Sequence, residues 1–229
     1  MKILCVGDSW TQGTGVNKDR AWPAILQKKY GVEVTNTGVE GTGNMAIADG
    51  AIHELKEQNY DLVIAGWSGV TRYAVNEEII EFSYSEDIER RDNFFKNKSI
   101  SHIEDDFNDC RNKLKNKCKN IKFIEFSVFG DFQHLYYDTF TKKSYLDLLA
   151  EAQGCNFKYN IPFFEFDFLS DINLKNTTRF AKRYFPKNWA RAIVEREDIR
   201  PGEYFLACGH PNAKGHELWA SYLGEYIFD

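Results

Sequence analysis

The feature that most limits the fold is a set of short apolar runs separated by segments with helical spacing. Lys2–Gly7 (KILCVG) and Asp61–Gly66 (DLVIAG) are almost continuously apolar and end in glycine, which is typical of strands buried on both faces of a parallel sheet. Further strands are predicted at Val32–Asn36, Ile121–Ser127 and Ile161–Leu169. Strands that alternate with helices predict an α/β fold, a three-layer α/β/α sandwich with its functional cleft at the carboxyl ends of the strands.

Four segments between or after these runs are predicted to be helical or mostly helical. Ala21–Gly31 has Pro23 in its first turn and a glycine stop, and Ser144–Gly154 is a second helix. Tyr73 to Asn120 is long, charged and mostly helical in pattern, and we interpret it as an insertion over the sheet. Asn44 is predicted to cap a helix that follows it.

The last predicted helix follows Asn212, whose side chain is expected to cap it. The residues expected to pack this helix against the rest of the chain are Leu218, Tyr222, Leu223 and Tyr226.

Composition indicates a single folded domain over residues 1–229 and argues against a nucleic-acid partner. The net charge is -5, and counterion release at a phosphate backbone needs clustered Lys and Arg. The basic run Arg111–Asn120 follows an acidic run and is interpreted as the solvated face of a helix. The five cysteines lack C-x-x-C spacing, which favours reduced thiols over a disulfide framework or a zinc site.

The sequence shows neither a signal-peptide pattern at Met1 nor an apolar stretch long enough to cross a membrane. The expectation is a cytoplasmic protein without a membrane partner, or a virion component if the chain is of phage origin.

Ser9 lies just after the first predicted strand, in the stretch ILCVGDSWTQG. That position is at the carboxyl edge of the sheet, where open α/β sheets bind ligands, so Ser9 is a candidate nucleophile. Asp8 and Ser9 also suit a different role, the capping of a turn, and this stretch alone leaves both interpretations open.

His210 lies in the loop before the final helix and is a candidate base. A histidine in a loop is more often structural or solvated, so its assignment depends on a partner. Cys208, two residues earlier, is a poor candidate for a thiol nucleophile because so short a spacing rarely gives the required geometry.

Four motifs together resemble the blocks of the SGNH (GDSL-type) hydrolases, in order and in spacing. The motifs are GDSWTQG with Ser9, NTGVEG with Gly41, IAGWSG with Ser68, and HPNAKGH with His210. The resemblance implies a flavodoxin-like parallel sheet and ester hydrolysis through an acyl-enzyme. It implies that Ser9 is the nucleophile, that His210 is the base, and that the amides of Ser9 and Gly41 hold the oxyanion.

The sequence departs from the family pattern at two positions. The third block of the family has an asparagine that donates to the oxyanion, and here Ser68, with a shorter side chain, stands in its place. The family also has an aspartate three residues before the histidine, where this chain has Ala207. His210 is then oriented by a backbone carbonyl, or by another carboxylate such as Glu203 or Asp198, or the site is catalytically weak.

Three further residues are candidates for substrate binding. Arg72 follows the third block and can pair with an anionic group, although an ordinary salt bridge is the more common role. Trp10 and Trp67 flank the proposed nucleophile and oxyanion positions, where their rings either pack in the core or contact a sugar or acyl chain.

Two function hypotheses follow. The first is a serine esterase acting on small acyl esters, with O-acetyl groups on carbohydrate as the specific candidate, and acyl transfer is left open. The second is an inactive module of the same fold that binds a glycan, for instance as a phage structural component. Neither requires a cofactor or a metal, and the oligomeric state is left undetermined.

Overall fold

The computed structural model of the protein describes residues 1–69, 72–75, 78–81, 100–128, 141–152, 204 and 210–228. The strands are β1 (Lys2–Val6), β2 (Glu33–Asn36), β3 (Leu62–Trp67), β4 (Arg72–Val75), β5 (Glu78–Glu81) and β6 (Lys122–Ser127). The α-helices are α1 (Ser9–Gln12), α2 (Trp22–Tyr30), α3 (Asn44–Glu57), α4 (Ile100–Lys117), α5 (Tyr145–Ala152) and α6 (Ala213–Phe228), and Lys18–Arg20 forms a 3₁₀ turn.

Four strands form a parallel sheet in the order β2-β1-β3-β6. The chain runs from β1 outward to β2 and then returns to place β3 on the other side of β1, so β1 and β3 flank a topological switch point. Ligand sites of open α/β sheets lie outside the carboxyl ends of strands at such a point. The α/β prediction is confirmed, while the expected strand at Ile161–Leu169 lies outside the described residues.

The sheet is covered on both faces, as a three-layer sandwich requires. One core cluster joins one face of the strands to α3 and α4, and the other joins the opposite face to α1, α2, α5 and α6. Leu4 and Val6 face the first cluster, and Ile3 and Cys5 face the second. This alternation explains why the β1 run is apolar at every position and not at every second one.

The prediction for Tyr73 to Asn120 needs correction at both ends of that segment. Its beginning is not helical, because β4 and β5 form an antiparallel pair. Its end, helix α4, is not an addition over the fold. Since α4 connects β3 to β6 and packs against α3 and the sheet, it is the crossover helix of this pair of parallel strands.

The basic run at the end of α4 is a solvated face with one exception. Its lysines are exposed, whereas Arg111 is buried and shares a helix face with Leu114 and Cys118. Arg111 pairs with Glu125 of β6, with 2.8 Å between Nη2 and Oε1. Burying this charge is tolerable because the carboxylate neutralises it.

Most of the predicted helix ends are confirmed. Pro23 lies in the first turn of α2, Gly31 ends that helix with a φ of 64°, and the Asn212 side chain accepts from the amide of Gly215. The prediction for Asn44 is wrong, because α3 begins at that residue and Gly43 occupies the cap position. Asn44 instead points to the third block, as described below.

The predicted packing residues of the final helix are confirmed except for Tyr226, which is exposed. Leu223 is buried, and Leu218 and Tyr222 are partly buried and pack against the same core cluster. The buried positions are Gly215, His216, Trp219, Ala220, Leu223, Gly224 and Ile227.

Two further features of the described residues concern membrane-spanning helices and the state of the cysteines. None of their helices combines the length and apolarity needed to cross a membrane. Their three cysteines, Cys5, Cys110 and Cys118, are free and buried, while Cys155 and Cys208 lie outside this part of the chain.

Candidate active site

Ser9 is the first residue of the one-turn helix α1, which starts where β1 ends. Asp8 is its N-cap residue, and the Asp8 Oδ1 atom accepts from the amide of Trp10 at 3.0 Å. Gly13 ends the turn in a left-handed conformation with a φ of 87°, which suits glycine. The strand and the two caps therefore fix the backbone that carries Ser9.

The structure brings Ser9 and His210 together from opposite ends of the chain. The Ser9 Oγ and His210 Nε2 atoms lie 3.0 Å apart, within hydrogen-bond distance. His210 precedes α6, whose first turn is held by Asn212, and the Asn212 amide donates to the carbonyl of Tyr204. The proposed orienting acid Glu203, its alternative Asp198, and also Ala207 and Cys208 lie outside the described residues.

The loop after β2 is tied to the Ser9 turn by hydrogen bonds on both sides of Gly38. The Asn36 Nδ2 atom donates to the Thr11 carbonyl at 3.0 Å, and the Asn36 Oδ1 atom accepts from the Gly38 amide at 2.9 Å. The amide of Val39 then donates to the carbonyl of Gly7 at 3.0 Å. These bonds set the position of Gly41 relative to Ser9.

The amides of Ser9 and Gly41 remain available to a ligand. In the part of the chain that the structure describes, neither amide donates to a backbone or side-chain acceptor. Gly41 has a φ of 71°, a left-handed conformation that disfavours residues with a side chain. Backbone amides that are free to donate can stabilise an oxyanion in acyl transfer when they point to it.

Ser68 is hydrogen-bonded through both its side chain and its backbone. Its Oγ atom donates to the Oδ2 atom of Asp8 at 2.8 Å, and both residues are buried. Its backbone is paired with Asn44, since the Ser68 amide donates to Asn44 Oδ1 at 2.9 Å and the Asn44 Nδ2 atom donates to the Ser68 carbonyl at 3.2 Å. The serine hydroxyl carries one proton, and the carboxylate accepts it.

The two tryptophans are core residues, which favours the packing interpretation over contact with a sugar or an acyl chain. Trp10 is 4% exposed and packs edge-on against Tyr145, with ring centroids 5.0 Å apart. Trp67 is 1% exposed, and its indole Nε1 atom donates to Glu125 at 2.9 Å. Arg72 lies in β4, and its side chain is outside the described part of the structure.

His216 is buried behind the site and differs in role from His210. Its Nδ1 atom lies 2.8 Å from the Tyr145 hydroxyl and accepts from the Trp22 amide at 3.3 Å. Burial, with a smaller contribution from the interaction with His210, lowers the pKa of His216 from 6.5 to about 3. His216 is therefore neutral at ordinary pH and holds α6 against α2 and α5.

Sequence reasoning missed the side chains that support the site. Asn36 was expected only as the end of a strand, and Asn44 only as a helix cap. The signal for both is an asparagine at the carboxyl edge of the sheet, where a side-chain amide can bind exposed backbone groups of a neighbouring loop. Capping of the turn by Asp8 is one of the two interpretations that the sequence leaves open, and the structure shows it, whereas the bond from Ser68 to Asp8 has no signal in the sequence.

A metal centre is not indicated by the described side chains, which contain no group of three or more His, Cys, Asp or Glu residues able to hold an ion.

The chain is similar to several solved structures at low sequence identity. A lipolytic protein of the G-D-S-L family from Veillonella parvula is 13% identical, with 100% of this chain and 98% of that chain covered and a TM-score of 0.45. A psychrotrophic esterase from a Pseudoalteromonas species is 13% identical, with coverages of 99% and 96% and a TM-score of 0.47. An acetyl-xylooligosaccharide esterase from Geobacillus Stearmophilus is 15% identical, with coverages of 100% and 94% and a TM-score of 0.45.

Among curated proteins, none matches the sequence. The family model described as GDSL-like Lipase/Acylhydrolase matches residues 3–223, which include the Ser9 turn, the Gly41 loop and the His210 segment. The protein therefore belongs to the GDSL-like lipase/acylhydrolase family.

Proposed function

We propose that the protein is a serine esterase that hydrolyses small acyl esters through an acyl-enzyme on Ser9. The observation that carries this proposal is the 3.0 Å contact between Ser9 Oγ and His210 Nε2. A serine hydroxyl is a weak nucleophile until a base accepts its proton, and this distance is the one that such a transfer needs.

In the first half of the reaction, the Ser9 Oγ atom forms a bond to the acyl carbon while His210 Nε2 takes the hydroxyl proton. The resulting oxyanion accepts hydrogen bonds from the amides of Ser9 and Gly41. When the ester C–O bond breaks, the proton on Nε2 passes to the leaving alcohol.

In the second half, a water molecule attacks the acyl carbon and gives its proton to His210 Nε2. The bond to Ser9 then breaks, the carboxylic acid leaves, and the proton returns to the serine oxygen. For Nε2 to act as the acceptor in both halves, the Nδ1 atom of His210 carries the other proton.

Within this class we propose O-acetyl groups on carbohydrate as the specific substrates. Family membership supports the acyl-ester part of the proposal. The burial of Trp10 and Trp67 removes the stacking argument for a sugar, so the carbohydrate part depends on a substrate panel that compares acetylated sugars with simple acetyl esters.

The test is turnover of p-nitrophenyl acetate by the wild type and by Ser9→Ala and His210→Ala. Loss of the nucleophile abolishes the acyl-enzyme, and loss of the base lowers kcat by about 10²–10⁴. Ser221→Ala and His53→Ala remove the same functional groups from partly or fully exposed helix positions and serve as matched controls.

Labelling by a fluorophosphonate separates the two function hypotheses. Stoichiometric labelling of Ser9 supports the esterase. A folded wild-type protein that is neither labelled nor active supports the inactive, glycan-binding alternative and refutes the proposal.

A further inference from the structure

A buried polar network links the turn that carries Ser9 to the third block and to helix α3. Asp8 is 0% exposed and Ser68 is 1% exposed. The Asp8 carboxylate accepts from the Trp10 amide through Oδ1 at 3.0 Å and from the Ser68 hydroxyl through Oδ2 at 2.8 Å. The Asn44 side chain binds both the amide and the carbonyl of Ser68.

This network occupies the donors of Ser68. The hydroxyl proton is shared with Asp8, and the backbone amide donates to Asn44 at 2.9 Å. To serve an oxyanion, the Ser68 hydroxyl would have to leave a buried carboxylate without one of its hydrogen bonds. Such a loss is costly because a buried charge depends on the groups that solvate it.

The same bond fixes the orientation of Asp8. A carboxylate can rotate about its Cβ–Cγ bond, and a hydrogen bond to each oxygen holds it in one orientation. With Oδ1 held on the Trp10 amide, Asp8 caps the helix turn that starts at Ser9. The Ser68 hydroxyl therefore affects the position of Ser9 indirectly, through Asp8.

We propose that Ser68 is a positioning residue that acts through Asp8, and that the oxyanion in this protein is held by the amides of Ser9 and Gly41 without a side-chain donor from the third block. This inference rests on the proposed function. Asn44, the first residue of helix α3, contributes because its side chain binds the Ser68 backbone and so holds the third block in place.

The test is a double-mutant cycle with Ser68→Ala and Asp8→Asn, measured as kcat and KM for p-nitrophenyl acetate and as the rate of fluorophosphonate labelling. Ser68→Ala lowers kcat about tenfold with KM unchanged, the effect of losing one hydrogen bond to a charged group. In the Asp8→Asn background, the same substitution has little further effect, because residues that act as one unit are not additive.

A direct oxyanion donor gives a different result. Its removal lowers kcat by about 10²–10³, and by the same factor in both backgrounds. Either observation overturns the inference, as does a Ser68→Ala variant with unchanged kcat. A wild-type protein without turnover or labelling overturns the proposed function and this inference with it, so the two failures are distinguishable.

Two further sets of variants serve as controls for this test. Ser68→Thr keeps the hydroxyl and is expected to restore most of kcat, while Ser68→Val has the same shape without the hydroxyl and is expected to behave as Ser68→Ala. This pair carries the test if Ser68→Ala does not fold. Ser144→Ala removes another buried hydroxyl that contacts a carboxylate, Asp147 Oδ2 at 2.6 Å, and is expected to leave kcat unchanged.

Discussion

Gly38 lies against the backbone of Gln12 so closely that a Cβ atom on Gly38 would be 2.4 Å from the Gln12 nitrogen. The neighbouring atoms are backbone and cannot rotate away. We therefore expect Gly38→Ala to push the loop that carries Gly41 away from the Ser9 turn. The expected result is a lower kcat and a loss of about 1–3 kcal/mol in the free energy of unfolding, measured by urea denaturation.

Gly41→Ala tests the backbone conformation at Gly41, whose amide is proposed to be the second oxyanion donor. No atom lies within 4 Å of a Cβ built there, so steric contact is not the cause of any effect. The φ of 71° strains a residue with a side chain by about 1–2 kcal/mol, and relief of that strain turns the amide out of position. We expect lower kcat with little change in KM, from initial rates on p-nitrophenyl acetate.

Gly50→Ala is the control for both glycine substitutions. Gly50 lies within α3 with no atom within 4 Å of its added Cβ, so alanine there is expected to stabilise the protein by about 0.5–1 kcal/mol without changing kcat. Wild-type kcat in Gly38→Ala or Gly41→Ala would contradict the role given to this loop.

Arg111→Met tests the buried ion pair between α4 and β6. The substitution leaves Glu125 as a buried carboxylate without its cation, and such a loss costs about 3–5 kcal/mol. Lys113→Met is the control on the same helix, because the Lys113–Asp49 pair is exposed and is worth about 0–1 kcal/mol. Urea denaturation curves that show equal losses for both variants would refute the assignment.

His216 is expected to make the stability of the protein depend on pH. Its pKa is about 3 in the folded protein against 6.5 in the unfolded chain, so only the unfolded chain takes up this proton between those values. The contribution of His216 is complete above pH 6.5 and is lost as the pH falls toward 3, by up to about 1.4 kcal/mol per pH unit.

The variant that isolates this effect is His216→Asn, which keeps an acceptor near the Nδ1 position and removes the titration. Its free energy of unfolding, measured by denaturant between pH 7 and pH 4, is expected to fall less steeply with acid than that of the wild type. Parallel slopes for the two proteins would show that His216 does not contribute.

The parts of the fold that depend on local pattern were predictable from the sequence. The strand runs at Lys2–Gly7 and Asp61–Gly66 differ by only one or two residues from β1 and β3. A strand buried on both faces is a nearly continuous apolar run, and such a run is easy to recognise in the sequence. The pairing of Ser9 with His210 spans 201 positions and was predicted only through the resemblance of the four motifs to a known family.

The parts of the structure that depend on three-dimensional packing were not predictable from the sequence. Trp10 and Trp67 flank the site in sequence, yet each points into a core layer, and only the side of the sheet that a residue faces decides this. Arg111 did carry a usable signal. It lies three and seven positions before Leu114 and Cys118, so helical spacing places it on the apolar face of α4, where a charge needs a partner.

The bond between His216 and the Trp22 amide joins the last helix to one of the first, and it has a consequence for the order in which the site is built. On the ribosome, Ser9 leaves the exit tunnel long before His210, because the N-terminal segment is made first. The contact between Ser9 and His210 can therefore form only after the last helix has docked. If the proposed function is correct, esterase activity appears only when both ends of the chain have folded.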